Sequence, residues 1–383
     1  MRKRLLLVDP LFHPKGGGPA VAFWALEALK HEYDVTVLAW RDVDIEAGNY
    51  WFGTRLKPGE FRVETPLVPV RWLGDLIDRV DPDPFSVQRW SLMMRVVRRI
   101  APRFDVVVTT NGEADFGVPA IQYVHFPYIA NGARNLKDHP LVKRPWQIIS
   151  GFTFAGAKAN RTLVNSDWTA SEYQSRYGTC TYTLYPPVPG DFEHVPWAER
   201  EEGFVCVGRY NGDKRLELII EILAAVRRRR PGVHLHLVGA PMPEEPGGVE
   251  YYQRLCRLAE ENSDWIFMEE GLSRDGLRDL LVRHRYGIHA KVEEHFGIGV
   301  AELVRAGCIT FTHRSGGQVE IIDNDRLLFE DKPDAVERIL AVLEKSELQG
   351  ELQDHMARQA RLYSAEQFAQ GLRGHVAAFL NGT

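Results

Sequence analysis

The chain has 383 residues, enough for two domains; 44% are hydrophobic and 26% charged, the balance of an ordinary globular protein. A formal charge of −5 excludes the broad basic field that nucleic acid binding needs. The four cysteines, Cys180, Cys206, Cys256 and Cys308, are far apart and form no C-x-x-C, which excludes a thiolate zinc site and a disulfide framework and points to a reducing cytoplasm.

The amino-terminal MRKRLLLVDP has an apolar run too short for a signal peptide and reads as a first strand over 4–9. No run approaches the roughly 20 apolar residues of a membrane span. A Gly-rich loop, KGGGPA at 15–20, then opens a helix over about 19–30. Short continuous apolar runs follow at 34–40, 104–110, 120–126 and 161–166. Such runs suit parallel strands buried on both faces, with helices as the crossovers. LYPPVPGDF, with three prolines, reads as a linker, and the pattern restarts. Strands are expected at 203–210, 233–240, 265–270, 286–290 and 308–312, and helices near 214–230 and 347–380. The fold class expected is α/β, with two doubly wound domains facing a cleft. RRRR at 227–230 reads as a solvated helix end, since cations favour the carboxyl end of the dipole and Pro-Gly stops the helix. WSLMMRVVRRI at 90–100 is amphipathic and basic, which allows weak peripheral contact with an anionic membrane but suits a core-facing helix better.

The densest chemistry lies in KVEEHFGIGVAELVRAGCITFT, residues 291–312. Here a loop leaves one strand, a short helix follows, and Gly307 leads into the next strand. Ligands of open α/β sheets bind outside the carboxyl ends of strands. A helix starting near Gly297 offers free N–H groups there, a seat for phosphate. Glu302, a turn inside the helix, suits ribose hydroxyls, and Glu294, before it, suits the reacting sugar. Arg209 and Lys214, in VGRYNGDKRLELI, are placed to clamp a diphosphate. Of the acid clusters at 42–44, 81–83 and 323–325, the last reads as a surface turn and 81–83 is split by proline; Arg209, Lys214 and the helix start supply the positive charge a cation would bring, so no metal is expected, and no cofactor beyond the nucleotide sugar.

The spacing Glu294-x7-Glu302 within HFGIGVAE, with the SGG turn at 315–317, resembles the E-x7-E motif of the family 4 retaining glycosyltransferases. The resemblance covers nearly the whole chain. It implies the two-domain GT-B fold: an acceptor domain over 1–185, a donor domain over 186–361, and a terminal helix, 362–383, returning to the first. It implies that Gly16 and Gly17 belong to a glycine loop under the diphosphate, and that Phe296, Gly297 and Ile298 line the donor. His125, in YVHFP, resembles the family's active-site histidine, here followed by Phe126-Pro127 in place of the usual Asp. Asn165 and Ser166 resemble residues that brace an interdomain turn. The motifs lean towards the mannosyltransferase branch, which implies GDP-mannose as donor. The partners implied are a nucleotide sugar and a glycan, lipid-linked or small-molecule acceptor. A guanine base needs an acceptor for its N1–H, for which Glu269 and Glu270 are candidates. A transferase using a UDP-sugar, an epimerase on the same fold and a non-catalytic sugar-binding subunit are the alternatives.

Overall fold

The structure, a computed structural model, describes residues 2–10, 12, 17–80, 87–129 and 140–382. Gly16 and the acid cluster at 81–83 lie outside them. The chain divides into two compact units, Met1–Pro189 with Ala365–Thr383, and Gly190–Ser364.

The first unit is built on a seven-stranded parallel sheet of β1 (Arg4–Val8), β2 (Asp34–Leu38), β3 (Arg62–Glu64), β4 (Val106–Thr109), β5 (Ile121–Val124), β6 (Arg161–Val164) and β7 (Tyr182–Thr183). The spatial order is β3-β2-β1-β4-β5-β6-β7. Side chains alternate across a strand, and both faces of β1 are covered. Leu5 and Leu7 join one apolar layer, and Leu6 and Val8 the other. All four are fully buried, each worth about 1.5–3 kcal/mol relative to exposure. The first layer is completed by the helix Gly17–Leu29 and by the last helix, Ala365–Leu380, through Phe368, Ala369, Leu372 and Val376. The stretch 90–100 lies in the helix Val87–Ile100 and buries Trp90, Met93, Met94 and Val97 in the second layer. Its apolar face is thus occupied by the core rather than offered to a membrane, and Arg98 turns to Asp115 at 2.6 Å.

The second unit repeats the architecture with six parallel strands: β8 (Glu201–Val207), β9 (His234–Gly239), β10 (Ile266–Glu270), β11 (His284–His289), β12 (Ile309–His313) and β13 (Leu328–Phe329). The order is β10-β9-β8-β11-β12-β13. Read from the first strand outwards, both sheets follow the doubly wound rule, first strand central. Each apolar run named above is a strand. The short edge strands β3, β7 and β13 were not expected.

Two local expectations are corrected. The helix after β8 runs Leu216–Arg227, not 214–230, because Lys214 ends a 3₁₀ turn and Arg215 adopts a left-handed conformation, φ 53°. The arginines at its end are engaged rather than merely solvated. Arg227 reaches Asp264 at 3.0 Å and the Val233 carbonyl, Arg229 reaches Glu344 at 2.9 Å, and Arg230 pairs with Glu202. No helix among the described residues is long and apolar enough to cross a membrane.

Candidate active site

In the second unit β8, β11 and β12 are parallel neighbours, so the loops leaving Val207, His289 and His313 emerge at one edge of the sheet. The loop after β11 carries Glu294. Its backbone pairs with Gly316 in the loop after β12, and Gly317 N–H donates to the Glu294 carbonyl at 2.7 Å. A Cβ on Gly316 would lie 2.3 Å from that carbonyl oxygen, so the SGG turn is a condition for the two loops to meet. Ser315 Oγ accepts from Glu293 N–H at 2.8 Å where Glu293 has φ 51°.

The Glu294 carboxylate is the focus of the edge. Lys214 Nζ, from the turn after β8, lies 2.5 Å from Oε2, and Lys291 Nζ lies 3.5 Å from Oε1. His289 Nε2 is 3.7 Å from Oε2. Burial pushes the Glu294 carboxyl up, but Lys214, His289 and Lys291 outweigh it and hold it well below the usual carboxylate range. The depressed value makes the ionised group a source of stability above the ordinary carboxylate range, lost as pH falls through the folded value. Glu294 is therefore an acceptor of hydrogen bonds at neutral pH and no proton donor.

His289 is lowered to about 4, first by burial and then by Lys214. Its Nδ1–H donates to Gln318 Oε1 at 2.8 Å, leaving Nε2 as an acceptor beside Glu294. The fully buried Gln318 side chain organises both loops, for its Nε2 donates to the carbonyls of Lys291, His313 and Ser315 at 2.7, 3.0 and 3.0 Å. Sequence reasoning missed His289, Lys291 and Gln318. The signal for Gln318 is a polar residue entering a helix directly after a Gly-Gly turn.

The helix Ile298–Arg305 follows, with Gly297 as its amino-terminal cap at φ 107°. Ile298 is part-exposed at this end, whereas the Phe296 ring is buried against Tyr363, so of the expected donor residues Phe296 puts its ring in the core. Glu302 is buried and its Oε1 accepts from Arg274 Nη1 at 2.6 Å, a partner that sequence did not suggest. Arg209, by contrast, is exposed and lies 3.7 Å from Glu245. The two cations expected to act together are thus held by different carboxylates. Of the base candidates, Glu269 is bound to His236 at 2.9 Å and Glu270 accepts from Tyr252 at 2.7 Å.

His125 belongs to the first unit, just past β5. Its Nε2–H donates to the Thr110 carbonyl at 3.1 Å, and Thr110 Oγ1 donates to buried Asp9 at 2.5 Å. Burial lowers His125 to about 4, so the ring is neutral and offers Nδ1 as an acceptor. A Cβ on Gly18 would stand 3.8 Å from Nε2, which puts the start of the glycine-loop helix, with Gly17, beside the ring. Asn165 braces this histidine, donating to its carbonyl at 3.0 Å, while Ser166 caps the helix Asp167–Tyr177. Of the acid clusters, Asp44 caps the helix Ile45–Phe52 and Asp325 pairs with Arg314 at 2.6 Å.

Each unit is a parallel doubly wound sheet, and the second carries a cationic loop edge around a largely buried carboxylate, a seat suited to a phosphate-bearing ligand. Residues 189–363 match the family described as Glycosyl transferases group 1. The human GDP-Man:Man(3)GlcNAc(2)-PP-Dol alpha-1,2-mannosyltransferase is 25% identical over 89% of this chain and 80% of its own. Among solved structures, sucrose-phosphate synthase from Thermosynechococcus elongatus aligns over 100% of both chains with a TM-score of 0.69 at 16% identity. Anabaena HepE in complex with UDP-glucose covers 98% of this chain and 100% of its own, TM-score 0.68, at 12% identity. The two structures establish the fold as GT-B. The chain is a glycosyltransferase, and its second unit is a glycosyltransferase group 1 domain.

Proposed function

We propose that the chain transfers mannose from GDP-mannose to a hydroxyl acceptor, with retention of configuration and without a metal ion. The observation that carries this reading is the largely buried Lys214–Glu294 pair at the carboxyl edge of the second sheet. An ionised carboxylate held beside two lysines can accept from sugar hydroxyls while the ammonium groups face a diphosphate. In this reading Lys214 and Arg209 stabilise the charge that grows on the leaving diphosphate. The helix amino terminus at Gly297 seats a phosphate. The leaving oxygen takes the acceptor proton on the same face of the sugar. His125, neutral, orients the sugar through its free ring nitrogen. Mannose and GDP are supported by the likeness to the human GDP-Man-dependent mannosyltransferase; the fold is neutral on the base, since HepE holds a uridine nucleotide.

The test is isothermal titration with GDP, UDP and ADP, followed by mass spectrometry of products from GDP-mannose. GDP is expected to bind tightest. Tight UDP binding with no GDP binding would refute GDP-mannose and leave the transferase class standing.

Glu302→Ala is expected to raise the KM for donor with little change in kcat, because ribose contacts differ little between ground and transition states. A collapse of kcat at constant KM would remove Glu302 from the ribose. Metal independence predicts equal initial rates with and without EDTA. Activity abolished by the chelator and restored by Mg²⁺ or Mn²⁺ would overturn it. Peripheral membrane contact rests on Leu67, Val68, Trp72 and Leu76, exposed in and beside the helix Val68–Val80. Neutral phospholipid vesicles should carry the chain upward in a density gradient, and Trp72→Ser should reduce the floated fraction. A chain that stays at the bottom in both forms excludes the contact.

A further inference from the structure

β9 begins His234-Leu-His236, and the two-residue period puts both imidazoles on one face. β11 begins with His284, and β8, which lies between β9 and β11, begins with Glu201. Glu201 is the ladder partner of His284, and Gly203 that of His234. Parallel strands place all these residues at the starting edge of the second sheet, the edge opposite the Glu294 loop.

Their geometry is that of a ligand set. His234 Nε2 and His284 Nε2 are 3.1 Å apart. Glu201 Oε2 lies 3.3 Å from the first and 3.6 Å from the second. A tetrahedral ion with bonds of about 2.0–2.1 Å separates its ligands by about 3.3 Å, which is the mean of this triangle. The three imidazoles each offer a ligating atom within 4.8 Å of the others, a group that does not include Glu201, so the four side chains reach tetrahedral spacing only as an ion draws His236 in. The outward nitrogens are tied as in metal sites. His284 Nδ1–H donates to the Leu280 carbonyl at 2.7 Å, and His236 Nδ1 to the Glu269 carboxylate at 2.9 Å. Both rings therefore keep Nε2 as the lone-pair nitrogen. Room for the cluster is made by Gly203, where a Cβ would come within 2.2 Å of His234 Nε2. His284 is fully buried and His236 nearly so, and a buried lone pair facing another imidazole and a carboxylate needs a cation or a proton between them.

We infer that His234, His284, Glu201 and His236 hold one Zn²⁺ ion that fastens the starts of β8, β9 and β11. The donor set of neutral imidazoles with one carboxylate suits zinc among the common divalent ions. The ion is structural, since the proposed transfer uses the other edge of the sheet. It makes no demand on the metal independence of turnover and does not depend on the choice of donor.

The experiment uses the full untagged chain, stripped with EDTA and dialysed. Titration with Co²⁺ is expected to give one equivalent, with the intense ligand-field bands of a tetrahedral site and no thiolate charge-transfer band. Zn²⁺ should displace it and raise the Tm, while the transfer rate at low temperature stays the same. His284→Ala risks the fold, so the deciding variants are Glu201→Gln and His234→Gln, both at part-exposed positions. Each is expected to weaken Co²⁺ binding at least about tenfold while keeping turnover. The absence of a stoichiometric tetrahedral spectrum in the parent, or an unchanged affinity in both variants, would overturn the assignment.

Discussion

Glu294→Gln is expected to lower turnover by at least about 10²-fold while GDP binding, measured by calorimetry, stays near that of the parent chain. Glutamine keeps the shape of the side chain and removes its charge. Lys214 at 2.5 Å and Lys291 at 3.5 Å then lose their carboxylate and remain available to the diphosphate. What is lost is the charge and one of the two oxygens that accept from the sugar hydroxyls beside His289, and with them the orientation of the reacting carbon. Because the carboxyl is held ionised throughout the neutral range, the loss is expected at every pH in that range. Near-normal turnover in this variant would remove Glu294 from the reaction.

Lys214→Ala is expected to cost about 10²–10³-fold in kcat, the scale of one preorganised charge stabiliser. The variant also strips a buried carboxylate of its nearest cation, which by itself destabilises the fold. Lys291 and His289 stay in place, so the chain is expected to remain folded with a lowered Tm. The two effects separate in a double mutant cycle. Lys214 and Glu294 touch, so the combined Lys214→Ala and Glu294→Gln variant should lose less than the product of the single losses and should recover Tm relative to Lys214→Ala alone. A Lys214→Ala rate within a few-fold of the parent would make this lysine a structural partner of Glu294 only.

Much of the scaffold could be read from apolar runs alone, because a parallel strand buried on both faces carries its own signature. Leu5 to Val8 need no context to be recognised as such. The edge strands β3, β7 and β13 were illegible for the opposite reason. Two or three residues with one neighbour carry too little burial to shape their sequence, and Arg62-Val63-Glu64 looks like any exposed loop. In the site, Glu294, Glu302 and Lys214 stood out by motif. Their partners did not. Arg274 lies 28 positions from Glu302, and Gln318 lies 29 from His289, separations at which no local spacing rule operates. The histidine cluster was hidden in the same way, since Glu201, His234 and His284 meet only once the strand order is known.

The last helix has a consequence for synthesis. Phe368, Ala369, Leu372 and Val376 complete the apolar layer that begins with Leu5 and Leu7. A chain emerging from the ribosome makes the whole of Gly190–Ser364 before it makes that helix. Domains generally fold as they emerge, amino-terminal first. Here the first unit has to wait, one face of its helix Gly17–Leu29 uncovered, while the second unit is translated and free to fold. The nascent protein therefore presents a sticky seam on its older half until the final turns arrive. It is at this seam, rather than at the catalytic loops, that a chaperone would be of most use.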